Sequence, residues 1–381
     1  MEPSSPAVPG ATPRPKLSVP LWTDILSGWQ HRCPALWRRL GNLESKLLAE
    51  RLQDITITKP IYISGLARSG TTILLELLAR HPYLATHRYR DFPPVHTPWL
   101  WNWFVERAGN RDTQAIERAH GDGIAVSPES PEAFEEVLWM AFFPDLHVPD
   151  TSSILSTAGN HAPFEQYYRD HIRKMLLVRG GRRYLSKANY NLTRLPYLLQ
   201  LFPDARFILP VREPANHIAS LMSQHARFCH EHERDNRLQR HMSRCGHFEF
   251  GLDRRPINCG NEATTREILQ LWSSGHELEG WTLYWCDLYG YIANLLQHNS
   301  AVRRAAFLVD HHQLCHQPVA MMEGLLAHCE LPSGPIDLRA EAATTVRPTP
   351  SSRSRFSAAQ LAYIDATTSS VRQQLQQFYF H

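Results

Sequence analysis

Short apolar runs bounded by turn residues alternate along this chain with stretches whose apolar positions recur every three or four residues. Ile61-Tyr-Ile63, Tyr184-Leu-Ser-Lys187, Asp204-Ala-Arg-Phe-Ile-Leu-Pro-Val211 and Ala305-Ala-Phe-Leu-Val-Asp310 are the strand-like runs. Their near-continuous apolar character is that of strands buried on both faces of a parallel sheet. Helical spacing marks residues 35–51, 73–79, 268–272, 281–285 and 318–331. Strand and helix signals taken in turn predict an α/β fold: a central parallel sheet flanked by helices, with helical insertions.

The first strand runs into Gly65-Leu-Ala-Arg-Ser-Gly-Thr-Thr72, and the apolar helix Ile73-Leu-Leu-Glu-Leu-Leu-Ala79 follows. A glycine-bracketed turn before a helix aims backbone N–H groups at one point, and the helix N-terminus adds partial positive charge. That is a phosphate cradle. Its Gly-x4-Gly spacing matches the P-loop of nucleotide triphosphatases, but Thr71 stands where a P-loop carries Lys, and the fixed charge lies inside the loop at Arg68. A nucleotide is the expected ligand, without the usual triphosphate–magnesium partner. The strand 204–211 leads into Arg212-Glu-Pro-Ala-Asn-His-Ile-Ala-Ser220, where Pro214 suits a helix start. Arg212 at a strand's carboxyl end and Ser220 two turns into the next helix are placed to meet one anion, where ligands gather on open α/β sheets.

Together the two segments resemble the sulfotransferase family, closest to its broad, mostly bacterial group, over residues 61 to about 309. The resemblance implies a P-loop-like sulfotransferase fold and the co-substrate 3′-phosphoadenosine-5′-phosphosulfate, with no metal. By it, Arg68, Ser69, Gly70, Thr71 and Thr72 bind the 5′-phosphosulfate, Arg212 and Ser220 bind the 3′-phosphate, and the two anion pockets stand about one nucleotide apart. Arg353 and Arg355, in the basic stretch 346–356, match a late loop that closes over the 3′-phosphate in relatives. Lys187 matches the lysine that approaches the sulfuryl group. Relatives often place a His shortly after it; this chain has Asn189 and Asn191. A neutral amide cannot accept the acceptor's proton, so either the base lies elsewhere or the acceptor substrate needs little help.

Two segments offer candidates. Residues 81–94 return across the mouth of the site and bring Asp91 and His87. Pro128 and Pro131 open an expected helix whose first turns carry Glu129, Glu132, Glu135 and Glu136; acids there also simply compensate the helix dipole. The candidate catalytic set is therefore Lys187, Arg68, Asp91 and Glu129, with no single base decided.

Composition narrows the rest. A chain of 381 residues, 43% hydrophobic, supports a large core, and a net charge of +3 is too weak to argue for nucleic acid. No apolar run is long enough to span a bilayer, no signal peptide is evident, and seven unpatterned cysteines suit a reducing cytoplasm. Residues 1–17, rich in Pro, Ser and Ala, read as disordered. Residues 18–56 read as a helical extension, 57–345 as the sulfotransferase domain, and 346–381 as a basic loop and C-terminal helix. Within the domain, 224–262 is a polar insertion whose irregular Cys and His spacings favour a flexible acceptor-side insertion over a structural zinc site. The aromatic run Trp99–Phe104 is either an acceptor-side wall or core packing. A nucleotide or small-molecule kinase, or a non-catalytic nucleotide-binding relative, is the alternative reading. Acceptor and oligomeric state are not encoded legibly.

Overall fold

The computed structural model describes residues 19–108, 116–117 and 125–379, apart from 156, 160 and 349. The expected disorder of residues 1–17 lies outside that range. Seven strands occur among the described residues: β1 Ile61–Ile63, β2 Leu84–Ala85, β3 Ile116–Glu117, β4 Ala125–Val126, β5 Arg183–Lys187, β6 Arg206–Val211 and β7 Ala306–Asp310. β3 and β4 pair antiparallel. The other five form one parallel sheet in the order β2-β5-β1-β6-β7.

Every residue of β1 is buried, and β6 is buried from Phe207 onward, as their unbroken apolar character requires. Pro210 sits inside β6 although proline cannot donate to a ladder. The register explains it. β1 pairs with β6 only as far as Ile63 opposite Ile208, so the missing donor of Pro210 falls beyond the end of β1, where the chain has entered the Gly65 loop.

The helices wrap this sheet. α1 Leu21–Arg32, α2 Pro34–Leu47 and α3 Ala49–Leu52 make the N-terminal extension, and α4 Thr71–Leu78 follows the loop. Next come α5 Pro98–Ala108, α6 Glu136–Phe142, α7 Ala162–Arg179 and α8 Leu195–Leu201. α9 Pro214–Arg234 and α10 Asn236–Cys245 follow β6, then α11 Glu262–Ser273, α12 Glu277–His298 and α13 Ser300–Ala305 lead to β7. α14 His311–His316, α15 Pro318–His328, α16 Leu338–Thr345 and α17 Ala358–Gln376 complete the chain.

Two expectations change here. α9 is a single 21-residue helix crossing residue 224 without a break, so the polar stretch begins inside a core-packed helix. The segment 128–135 is not helical; α6 starts only at Glu136. Pro131 disfavours helix at Ser130 before it, and Pro131 instead bridges antiparallel to Arg88.

Candidate active site

β1 lies between β5 and β6, so their carboxyl ends and the loop after β1 converge at the point where strand order reverses. Ser64 fastens this junction: its Oγ donates to the carbonyl of Ala188 at 2.7 Å and its N–H to Ile208 at 2.9 Å. A Cβ at Gly65 would stand 2.7 Å from Ser69 Oγ and 3.0 Å from the Pro210 carbonyl, so the loop can press against β6 only with glycine there. Gly70 caps α4 at φ 106°, and a Cβ on it would meet His311 at 3.1 Å. Arg68 itself adopts φ 69°. A left-handed arginine is uncommon and strained, and such strain is held where surrounding contacts over-determine the backbone. Those contacts are visible: the carbonyl of Ala67 accepts from His217 Nε2 at 2.8 Å, and that of Arg68 accepts from Arg212 Nη1 at 3.3 Å.

The loop, the end of β6 and α9 thus form one cationic cluster. Arg68 Nε donates to Ser220 Oγ at 3.3 Å. Arg68, expected at the 5′-phosphosulfate, thus touches Ser220, expected at the 3′-phosphate. The cluster's field is legible in the neighbouring imidazoles. Burial, then Arg212 and Arg68 among other charges, push His311 down to about 4. His217 falls to about 3, again chiefly through burial, although its bond to Ala67 works the other way. Both are neutral at physiological pH.

A cavity of about 730 Å³ opens over this cluster. Arg68, Gly70, Thr71, Thr72, Arg212, Ser220 and Arg355 all line it, as does Lys187 at the end of β5. Ser69 does not: its side chain is fully buried beneath the loop. Arg353 does not either. Its guanidinium spans Glu213 Oε1 at 2.6 Å and Asp365 Oδ2 at 2.7 Å, while the Ser352 N–H binds Asn216 Oδ1 at 2.6 Å. Arg353 is a tether that straps the late loop to the first turn of α9 and leaves Arg355 at the cavity.

The expected acids sort into three environments. Asp91 does not line the cavity: it is buried, takes Arg179 Nη2 on both oxygens at 2.5 and 2.6 Å, and accepts from Asn102 at 3.0 Å. Burial would raise its pKa, but His87 and Arg179 hold it far below the usual carboxylate range. His87 stacks on His171 in the same interior. Glu129 is also off the cavity: it is half-exposed and paired with Arg88 at 2.5 Å and Arg90 at 2.7 Å. Glu135 binds Trp139, Tyr184 and Asn191 in the core, and Glu136 is clamped by Arg194 and His147. Glu132 alone of the four reaches the cavity. Burial favours its neutral form, but Lys187, His247 and Tyr89 outweigh that and hold it below its ordinary value.

Groups missed in the sequence complete the wall. Asn189 Nδ2 donates to Glu249 Oε1 at 2.6 Å, and Glu249 Oε2 lies 3.7 Å from His247 Nδ1. Against the burial that would raise it, His247 and Lys187 keep Glu249 ionised. Tyr89, His241 and His311 also line the cavity, and Phe134, Phe228, Leu238, Met242 and Phe250 make its apolar side. In the sequence His247 is one of the irregularly spaced Cys and His residues of 224–262; among the described residues no group of three or more His, Cys, Asp or Glu is arranged to hold a metal ion. The aromatic helix α5 is absent from the cavity wall.

Comparison with known proteins agrees with this geometry. No curated protein sequence matches the chain. Sulfotransferase STF1 from Mycobacterium tuberculosis H37Rv is similar in structure at a TM-score of 0.51 and 16% identity, covering 92% of this chain and 87% of that one. Sulfotransferase STF9 from Mycobacterium avium gives 0.49 and 15%, covering 89% and 82%. At 16% identity the likeness to STF1 speaks for the fold alone. The sulfotransferase family model matches residues 60–255, a span that takes in the β1 loop, Lys187, Arg212, Ser220 and His247 and exceeds half the chain; the chain belongs to the sulfotransferase family.

Proposed function

We propose that this protein transfers the sulfuryl group of 3′-phosphoadenosine-5′-phosphosulfate to a hydroxyl or amine. The observation that carries the reading is the meeting of Arg68, Arg212, Ser220 and the N-terminus of α4 on one cavity that Lys187 also enters. Glycine at 65 and 70 keeps that cradle clear of side-chain bulk, and two flanking histidines are held neutral chiefly by burial, with its positive field acting in the same direction. A doubly phosphorylated nucleotide suits these donors. When bound it supplies an activated sulfuryl group and a phosphate leaving group.

The chain's own residues supply the rest. Loop N–H groups, Arg68 and the Thr71 and Thr72 hydroxyls bind the 5′ end, and Arg212, Ser220 and Arg355 the 3′-phosphate. Lys187 and Arg68 offset negative charge as it grows on the departing oxygen; one such contact is worth roughly 3 kcal/mol. His247 stands on the cavity's far wall as the proton acceptor, its Nδ1 side facing Glu249, which Asn189 holds in place. Ionised Glu249 stabilises the imidazolium that forms. The apolar side built by Phe134, Phe228 and Phe250 would receive the acceptor's body.

Titration calorimetry with adenosine 3′,5′-bisphosphate tests the donor assignment: tight binding that ignores magnesium, with no uptake of ATP, is expected. Transfer of radiolabelled sulfate to a panel of alcohols and amines tests the reaction. Absence of bisphosphate binding would overturn the reading.

A further inference from the structure

Helix α1 is built inside out. Leu21, Trp22, Ile25 and Trp29 point to solvent, with Trp22 53% and Ile25 64% exposed, while Thr23, Ser27, Gly28 and Gln30 are buried. A surface helix ordinarily turns its apolar stripe inward. The rotation of α1 is set by polar contacts on its inner face. Arg244 Nη1 donates to the Asp24 carbonyl at 2.6 Å, to Asp24 Oδ1 at 2.7 Å and to Ser27 Oγ at 3.1 Å, and Arg240 Nη2 binds Asp24 Oδ2 at 2.8 Å. With that face committed to α10, the large apolar side chains have nowhere to go but out.

The neighbours extend the patch. Trp22 lies 6.4 Å from Trp101, which stacks on Phe104 at 5.8 Å. On α5, Leu100, Trp103 and Phe104 are exposed. α2 joins through Glu44, whose Oε1 accepts from the Leu100 N–H at 2.7 Å, and it exposes Leu43 and Leu47. Contiguous apolar surface from three helices marks a docking face.

The charges around it choose the occupant. Exposed charges on these helices and the adjoining α3 are Arg32, Arg39, Lys46, Arg51 and Arg107 against Glu50 and Glu106. Arg107 lies 4.1 Å over the Trp103 ring and Arg51 5.7 Å over Trp99, so cations edge the aromatic patch itself. A second copy docked about a two-fold axis would set this cationic rim against its own like. An anionic lipid surface complements it, and exposed Trp with flanking Arg is the composition of an interfacial face. No helix among the described residues is long and apolar enough to cross a membrane, so the contact would be peripheral.

We infer that the face formed by α1, α2 and α5 seats this protein on an anionic lipid surface. α10, held by the inner face of α1, carries Leu238, His241 and Met242 of the cavity wall, so α1 links the docking face to that wall.

Flotation of the full chain with phosphatidylcholine vesicles, with and without phosphatidylglycerol, is the test. The protein is expected to float with phosphatidylglycerol vesicles, with a blue shift of Trp emission, and to be released by high salt. The double variant Trp22→Ser, Ile25→Asp should weaken flotation by about tenfold or more. The charge reversal Arg39→Glu, Lys46→Glu should do so without touching the apolar patch. Both variants should keep parental bisphosphate binding and melting temperature, since none of these residues enters the site. The inference would be overturned by no flotation with either vesicle, by flotation unaffected by both variants, or by a parental dimer that the same substitutions split. Flotation only after removal of residues 1–18 would assign the face to that segment and equally overturn it.

Discussion

The Asn189 amide donates a 2.6 Å hydrogen bond to Glu249 Oε1, and the same carboxylate faces His247 on its other oxygen. The position where relatives carry a histidine is thus tied, through one carboxylate, to a histidine on another segment. If His247 accepts the acceptor's proton, His247→Ala lowers kcat by about 10²–10⁴-fold, the usual range for losing a general base. Bisphosphate affinity, read by calorimetry, stays at the parental value. A parental kcat would remove His247 from the mechanism.

Arg68 and Arg212 should separate chemistry from binding. Arg68 reaches Ser220 and lies in the loop where charge develops, so Arg68→Ala is expected to cost at least about a hundredfold in kcat. Arg212 holds the Arg68 carbonyl and lines the cavity. Arg212→Ala should raise the bisphosphate Kd more than it lowers kcat. Two variants indistinguishable from the parent in steady-state kinetics would refute the cluster as the donor site.

Asp91→Asn tests the opposite assignment. Asp91 and Arg179 are both buried, and neutralising one partner strands the other charge. A loss of about 3–5 kcal/mol in unfolding free energy is expected, with kcat of the folded protein unchanged below the new melting transition. Selective loss of kcat in a stably folded Asp91→Asn protein would restore the carboxylate to the active site.

The sheet and the loop were legible because their signals are local. An unbroken apolar strand, a glycine at each end of a tight turn and an arginine at a strand's end each constrain neighbours within a few residues. The acids were not legible for the converse reason. Glu129, Glu132, Glu135 and Glu136 look alike in sequence, and only tertiary partners divide them among solvent, cavity and core: Arg90, Lys187, Tyr184 and Arg194 respectively. The burial of Asp91 was hidden because its partner Arg179 lies 88 positions away. His247 and Asn189 are 58 residues apart, and no periodicity connects them to the carboxylate they share. The outward face of α1 was hidden too, since its spacing says which residues share a stripe and not which stripe faces the core.

Acid should unfold this protein early, and the sign can be worked out group by group. His96 is pushed down to about 3, first by burial and then by Lys174 and Arg38. His217 at about 3, His241 at about 4 and His311 at about 4 are lowered chiefly by burial as well. In the unfolded chain each takes a proton near pH 6.5. Between pH 6.5 and about 4 the unfolded state therefore binds protons that the folded state refuses, so stability falls as pH falls. The slope is about 1.4 kcal/mol per pH unit for each such histidine. Glu136, held at about 2 against its burial by Arg194 and His147, adds a loss of the same sign below the unfolded glutamate range. Urea unfolding followed by circular dichroism should show a midpoint that drops steadily from pH 6.5 to 4.5, well before the carboxylates titrate. A midpoint constant across that interval would mean that these imidazoles are not held neutral in the fold.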